Sequence, residues 1–189
     1  APADGYTLLV TSGSLISSAT AQKRLPFDPR KTMAPITQLT SVSYILMVNP
    51  SVPAKTVKEL VAHGRSRAQP LNFGSSGVGG MGHLAGELFA NLAGVKMVHI
   101  PYKGGGLVLL DMISGQIQLG FTATISGMPH VRAGKLRVLG ISSPKRSRAL
   151  PEIPTIAESG VPGFGLVNSY GMFAPGATPA AIVATLHRD

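Results

Sequence analysis

Apolar strand-like runs at 6–10, 44–48, 71–74, 96–101, 117–122 and 136–142 alternate along this chain with helical spacing at 56–66, 82–93, 106–114, 126–133 and 178–188. That alternation predicts an α/β fold with a largely parallel sheet. Local punctuation agrees with the periodicity. Thr56-Val-Lys-Glu59 and Thr155-Ile-Ala-Glu158 read as capping boxes, and Gly94, Gly115 and Gly134 each close a helical run where a left-handed residue is wanted. Leu84, Leu88 and Leu92, with Ala85 and Phe89, predict one buried helix face.

The stretch from 56 to 135 reads as a self-contained β-α-β-α-β-α run, flanked by the apolar strands Tyr44–Val48 and Leu136–Ile141. Two lobes follow from this. Residues 44–141 form a second lobe that includes the two crossing strands, while 1–43 and 142–189 form a first lobe that is incomplete at both chain ends. Two crossings suit a hinge. Residues 151–179, crowded with proline and glycine, are expected to be irregular connections with a short helix. A strand pattern almost at the first residue, and a helical run from Thr178-Pro179 to the last, lead us to expect a processed or truncated product.

Composition narrows the chemistry. The 189 residues, 44% of them hydrophobic, are enough to bury a core. There is no cysteine, which removes thiolate nucleophiles, disulfides and cysteine metal sites. Seventeen Lys and Arg against eight acidic residues give a formal charge of +9. The basic residues are dispersed, the densest run being Lys145-Arg146-Ser147-Arg148, and aromatics make up only 5%, so no base-stacking platform is visible and nucleic acid is not an expected partner. No apolar run approaches the roughly 20 residues needed to span a bilayer, and no charged-then-apolar signal peptide opens the chain.

The informative positions follow the strands. Thr11-Ser12-Gly-Ser14, Ser75-Ser76-Gly77-Val-Gly79-Gly80, Tyr102-Lys103-Gly104-Gly105-Gly106 and Thr122-Ala-Thr124 are all small, hydroxylated or glycine-rich. In open α/β sheets ligands sit beyond the carboxyl ends of strands, where amides at helix starts form anion sites. Converging turns of this kind predict a pocket of neutral donors for a carboxylate, with Lys103 as a fixed positive charge. His83, in the first turn of its helix, is a further candidate ligand contact beside a packing role. The Gly77–Gly82 stretch also satisfies G-x-G-x-x-G, so an α/β enzyme binding a dinucleotide there is the alternative. It lacks the later acidic residue that holds a ribose, since Tyr102-Lys103 stands in that region, and no Gly-Lys-Ser/Thr makes it a P-loop. The histidines at 63, 83, 99, 130 and 187 show no metal-ligand spacing, Ser75 and Ser76 stand in no nucleophile elbow, and Asp111 reads as an exposed residue or cap partner. No catalytic residue, metal or cofactor is expected.

An ordered series of blocks covers nearly the whole chain: Asp4-Gly-Tyr-Thr-Leu8, Pro26-Phe-Asp-Pro29, Asn72-Phe-Gly-Ser-Ser-Gly77 with His83-Leu-Ala-Gly-Glu87, Pro101-Tyr-Lys-Gly104, Gly134-Lys-Leu-Arg137, Leu150-Pro-Glu-Ile-Pro-Thr155 with Glu158-Ser-Gly-Val-Pro-Gly163, and Gly171-Met-Phe-Ala-Pro175. In order and spacing this resembles the tripartite tricarboxylate transporter receptors, the Bug or TctC-like periplasmic solute-binding proteins. The resemblance implies a type II periplasmic-binding fold of two lobes. It further implies a non-enzymatic receptor that holds a di- or tricarboxylate, an acidic amino acid or an aromatic acid in an interlobe cleft and delivers it to membrane permease subunits. By position, Ser75–Gly79 and Tyr102–Gly105 match the ligand-facing loops of the second lobe, and Ser12–Ser14 a first-lobe contribution. The family begins earlier, with a signal peptide and a Pro-Gly-Gly turn that this chain does not contain. It often carries a threonine where Gly80 stands, an acidic residue near Thr32 and a tryptophan near Ser169.

Overall fold

The computed structural model describes residues 1–15, 17 and 27–188, so Pro26 lies outside the described residues. The chain divides into two compact units, Ala1–Ser41 with Asn168–Asp189, and Val42–Val167. The expected lobe boundary near 142 is therefore displaced. Residues 142–167 pack with the second unit because Ile153, Ile156, Val161 and Phe164 are buried in its core, and Ile141 bridges to Thr155. Thr155 caps a turn there, its Oγ1 accepting from the Glu158 amide at 3.1 Å, and the expected short helix does not form.

In the first unit, β1 (Leu9–Ser12) pairs antiparallel with β7 (Val167–Pro175), which lies beside the first part of β2 (Met33–Val48). A short helix α1 (Pro29–Thr32) is capped by Asp28, and α6 (Ala180–Arg188) closes the chain. Among the described residues of this unit, only Ile36 and Ala174 are buried apolar side chains. That thin core explains why β7 and the first part of β2 escaped the periodicity reading.

The second unit is built on the strand order β6-β2-β5-β3-β4, using β3 (Leu71–Ser75), β4 (Met97–Pro101), β5 (Leu119–Ala123) and β6 (Arg137–Ile141). β3 pairs parallel with β4 and β5, while the Tyr44–Val48 end of β2 runs antiparallel to β5 and β6. The sheet is thus mixed, with one reversed strand inside a parallel set. Helices α2 (Val57–Ser66), α3 (Met81–Ala93), α4 (Gly105–Ser114) and α5 (Thr124–Arg132) supply the connections.

Strand alternation divides the core. Leu46, Val48, Leu71, Phe73, Leu119 and Phe121 face α2 and α3, whereas Ile45 and Met47 face Val108 and Met112 of α4. Phe89 of α3 sits 6.0 Å from Phe121 and 6.3 Å from Phe164, ring centre to ring centre, and truncating such an anchor to alanine costs about 3–5 kcal/mol. The buried face of α3 is Gly82, Ala85, Gly86, Phe89 and Ala93, and Leu92 is exposed. Of the expected face, Ala85 and Phe89 are buried, Leu84 is half-buried, Leu88 packs against the core from its margin and only Leu92 is exposed; the face is centred on Gly86, which lies against the Phe73 ring where any β-carbon would collide with it.

Candidate functional site

Strand directions place the carboxyl ends of β3, β4, β5 and β6 on one edge of the second unit's sheet, and the carboxyl end of β2 on the opposite edge. The helices that start at these edges differ. At α2, following β2, Thr56 Oγ1 accepts from the Glu59 amide at 3.2 Å and Glu59 Oε2 accepts from the Lys55 amide at 2.6 Å. The Glu59 amide of its first turn and the Lys55 amide before its cap are thus occupied from within. At α3, α4 and α5 the N-cap residues are Gly80, Gly104 and Ala123; none supplies a side-chain cap, and no acidic residue stands in any first turn. Each entrance presents amides and the positive end of a helix dipole to an outside anion. The Thr122 hydroxyl, two residues before α5, is buried and has no hydrogen-bond partner.

The turn from Ser75 to Gly80 needs glycine at Gly77 and Gly79, whose φ values are +135° and +79°. Ser75, fully buried at the end of β3, organises it. Its Oγ accepts from the Gly77 amide at 3.3 Å, donates to the Gly77 carbonyl at 3.0 Å and lies 2.6 Å from His99 Nε2. A hydroxyl has one proton, so with that proton on the Gly77 carbonyl the His99 Nε2–H donates to Ser75. His99 packs over Phe73 at 5.0 Å and stacks on His83 at 3.9 Å. Burial, and then the neighbouring His83, pull the His99 pKa down to about 4. A buried, doubly bonded hydroxyl beside so weak a base has neither the access nor the activation of a nucleophile. The Ser75–His99 pair braces the turn.

His83 completes the brace, its Nδ1 accepting from the Gly79 amide at 3.0 Å while Nε2 faces Glu87 Oε1 at 3.6 Å. Its ring nitrogens are thus engaged within the corner, while Ser76 is exposed on the turn. The next corner is tied to this one by the Tyr102 amide, which donates to the Ser75 carbonyl at 2.9 Å. The Tyr102 hydroxyl donates to Asp111 Oδ2 at 2.7 Å, and burial followed by that carboxylate pushes its pKa up to about 12. Asp111 is therefore neither an isolated exposed residue nor a helix cap partner; it anchors Tyr102. Lys103 and Gly105 are exposed, and nothing would meet a β-carbon at Gly104, Gly105 or Gly106 within 4 Å, so open space lies above the α4 entrance.

The structure thus brings Ser75, Ser76, Gly77, Gly79, His83 and Tyr102 into joined corners, with Lys103, Gly104 and Gly105 following and Thr122 on the adjoining strand. Ser12 and Ser14 lie in the first unit, where Thr11, Ser12 and Gly13 line a mainly apolar cavity of about 310 Å³ with Met33, Pro35 and Phe173. Ser14 does not line it. Sequence reasoning missed His99, whose only signal is its place in a strand; parallel register sets it beside Phe73.

Over residues 1–189 the chain matches the family described as tripartite tricarboxylate transporter family receptor. It is 32% identical over 190 residues to the UPF0065 protein in the tcbD-tcbE intergenic region of Pseudomonas sp. (strain P51), covering 100% of this chain and 56% of that protein. It is 33% identical over 192 residues to Protein BugT of Bordetella pertussis, covering 98% of this chain and 58% of the relative. The chain thus spans little more than half the length of these curated relatives. Among solved structures it superposes on R. palustris Rpa4515 with adipate at a TM-score of 0.89 and 34% identity, covering 98% of this chain and 62% of that one. It superposes on MatC (Rpa3494) from Rhodopseudomonas palustris with bound malate at 0.84 and 30%, covering 98% and 64%.

Proposed function

Since this chain belongs to the tripartite tricarboxylate transporter receptor family, we propose that it is part of a periplasmic receptor that captures a small carboxylate and passes it, unaltered, to membrane permease subunits. The second unit contributes the anion-holding edge. The observation that carries this reading is the contrast between one internally capped helix entrance and three open ones, at α3, α4 and α5, on the edge where β3, β4 and β5 end. A carboxylate oxygen accepts from first-turn amides, and each helix dipole adds about 0.3–1 kcal/mol to holding it. Ser76, Gly105 and the unpartnered Thr122 hydroxyl are the donors we assign, with Lys103 supplying positive charge from the rim. Ser75, Gly77, Gly79, His83 and Tyr102 hold those donors in place, and Gly104 leaves the approach clear. Exposed Val78, Leu107 and Ile125 on the same turns and first helical turns favour an acid with an apolar segment. The adipate and malate named for two similar structures belong to this chemical class.

The dinucleotide alternative has less support. The glycine turn does join a strand to a helix, but Tyr102 is bound to Asp111 and no acidic side chain of the β4–α4 turn is available for a ribose. A thermal-shift series with adipate, malate, citrate, benzoate and NAD decides between the readings. A ligand at a hundred times its dissociation constant adds about 2.7 kcal/mol of stability. A shift with at least one acid and none with NAD is expected; a shift with NAD alone sinks the receptor reading.

A further inference from the structure

We infer that His83 is a positioning residue and not a ligand contact: its Nδ1 latches the Gly79 amide, and with it the Ser75–Gly80 turn, only while the imidazole is neutral, so that acidification loosens the turn and weakens its grip on an anion. This inference rests on the carboxylate site proposed above.

The tautomer follows from donor logic. A backbone amide can only donate, so the nitrogen that receives the Gly79 N–H at 3.0 Å must carry a lone pair. The neutral ring therefore bears its hydrogen on Nε2, directed toward Glu87. A second proton has only Nδ1 to occupy, and there it meets the Gly79 hydrogen head-on. Gly79 lies in the left-handed region, which glycine enters as readily as the right-handed one, so its backbone alone does not fix the turn and the latch helps to hold it. Losing the latch frees the turn that carries Ser76, a proposed anion donor.

The titratable groups packed against the His83 ring are His99 and Glu87. His99 stacks on His83 with ring centres 3.9 Å apart and planes 21° from parallel, so charging His83 sets a cation against a second imidazole in a partly buried stack. The titratable groups facing His83 are few. Glu87 lies on its own helix and His99 on β4, while β3 and β5 carry no titratable side chain. From α2, Arg65 reaches α3 only at the opposite end, donating to the Ala93 carbonyl at 2.9 Å. With its pKa near 4, His99 stays neutral through the mildly acidic range, so a change in that range is not its own.

Two measurements on the 189-residue chain test this separately from the site proposal. Nitrogen-15 NMR of labelled histidines reads the tautomer with no ligand present. Neutral His83 with its hydrogen on Nε2 is expected; a hydrogen on Nδ1 overturns the inference whether or not any acid binds. Calorimetry with adipate and malate then compares three proteins. His83→Asn places an acceptor oxygen where Nδ1 stood, and should bind within about threefold of the parent, whereas His83→Phe keeps the stack without the acceptor and should bind on the order of tenfold more weakly. Between about pH 8 and pH 5.5 the parent should lose affinity relative to His83→Asn, the difference cancelling the acid's own titration. Equal affinity of His83→Phe and parent, or superimposable pH profiles of parent and His83→Asn, overturns the latch. Failure of both acids to bind the parent counts against the site proposal instead, and the NMR result still decides the latch.

Discussion

The entrance to α2 and the entrances to α3, α4 and α5 belong to the same sheet, yet they handle the same problem in opposite ways. Every helix starts with amides that lack an intrahelical partner. At α2 the protein answers with its own side chains, Thr56 and Glu59. At the other edge glycine or alanine stands at the cap and the amides are left to whatever arrives. Donors satisfied from within stabilise the fold, whereas donors left open sacrifice some stability and make an anion-binding edge. The difference lies in single residues at the caps, because the strands and helices around them are equally regular.

The strongest way to break this contrast is to cap an open entrance. Gly80 has an extended backbone that any residue adopts, and a β-carbon added there would meet no atom closer than 3.4 Å, so Gly80→Asp should fit and cap α3. Stability should rise by a few tenths of a kcal/mol, about what separates glycine from aspartate at this position. Affinity for adipate or malate should fall on the order of a hundredfold, since a tethered carboxylate competes at high effective concentration. Unchanged affinity in calorimetry would mean that α3 does not hold the anion.

Thr122→Val removes the buried hydroxyl that has no partner. In the free protein this should stabilise by about 1 kcal/mol in urea titration, because an unsatisfied polar group is no longer desolvated. Acid binding should weaken at the same time; if it does not, the hydroxyl is no part of the site. Thr56→Ala is the converse probe. It should lower stability by about 1 kcal/mol and leave the affinity for acids as it was.

A further probe concerns His99. Its folded pKa, near 4, lies below the ordinary value of 6.5, so the folded state binds fewer protons than the unfolded one. The resulting stability is complete above pH 6.5 and declines as pH falls through 4. Replacing His99 with glutamine should flatten that acid limb in urea midpoints measured at pH 7 and pH 4.5. An unaltered slope would assign the acid sensitivity to another group. A steeper slope would mean that His99 gains rather than loses protons on folding.

Legibility followed burial. In the second unit, strands lie between two apolar layers and helices carry buried faces, so periodicity located all of them to within a few residues of their true bounds. Gly94, Gly115 and Gly134 do adopt positive φ at helix ends, as their spacing predicted. The first unit buries only Ile36 and Ala174 among its described apolar residues, and its strands carry no such signature. Pro35 and the polar Thr37–Ser43 stretch hid the first part of β2, and Gly171 and Pro175 hid β7. The lobe boundary moved to 168 for a related reason: Ile156, Val161 and Phe164 sit among turn residues, and nothing local says which core receives them.

What the sequence by itself determined is the set of locally encoded features: the α/β alternation, the helix stops, the composition of the corners after β3, β4 and β5, and the family. These depend on residues within one or two turns of each other, where backbone preference and side-chain reach suffice. Only the tertiary structure decided which corners meet and what each side chain does there. Parallel register brought His99 to Ser75 across 24 positions, the depth of α3 at Gly86 turned His83 toward Gly79, and Asp111 took up the Tyr102 hydroxyl. Such pairings arise from packing between elements, and no short-range pattern carries them.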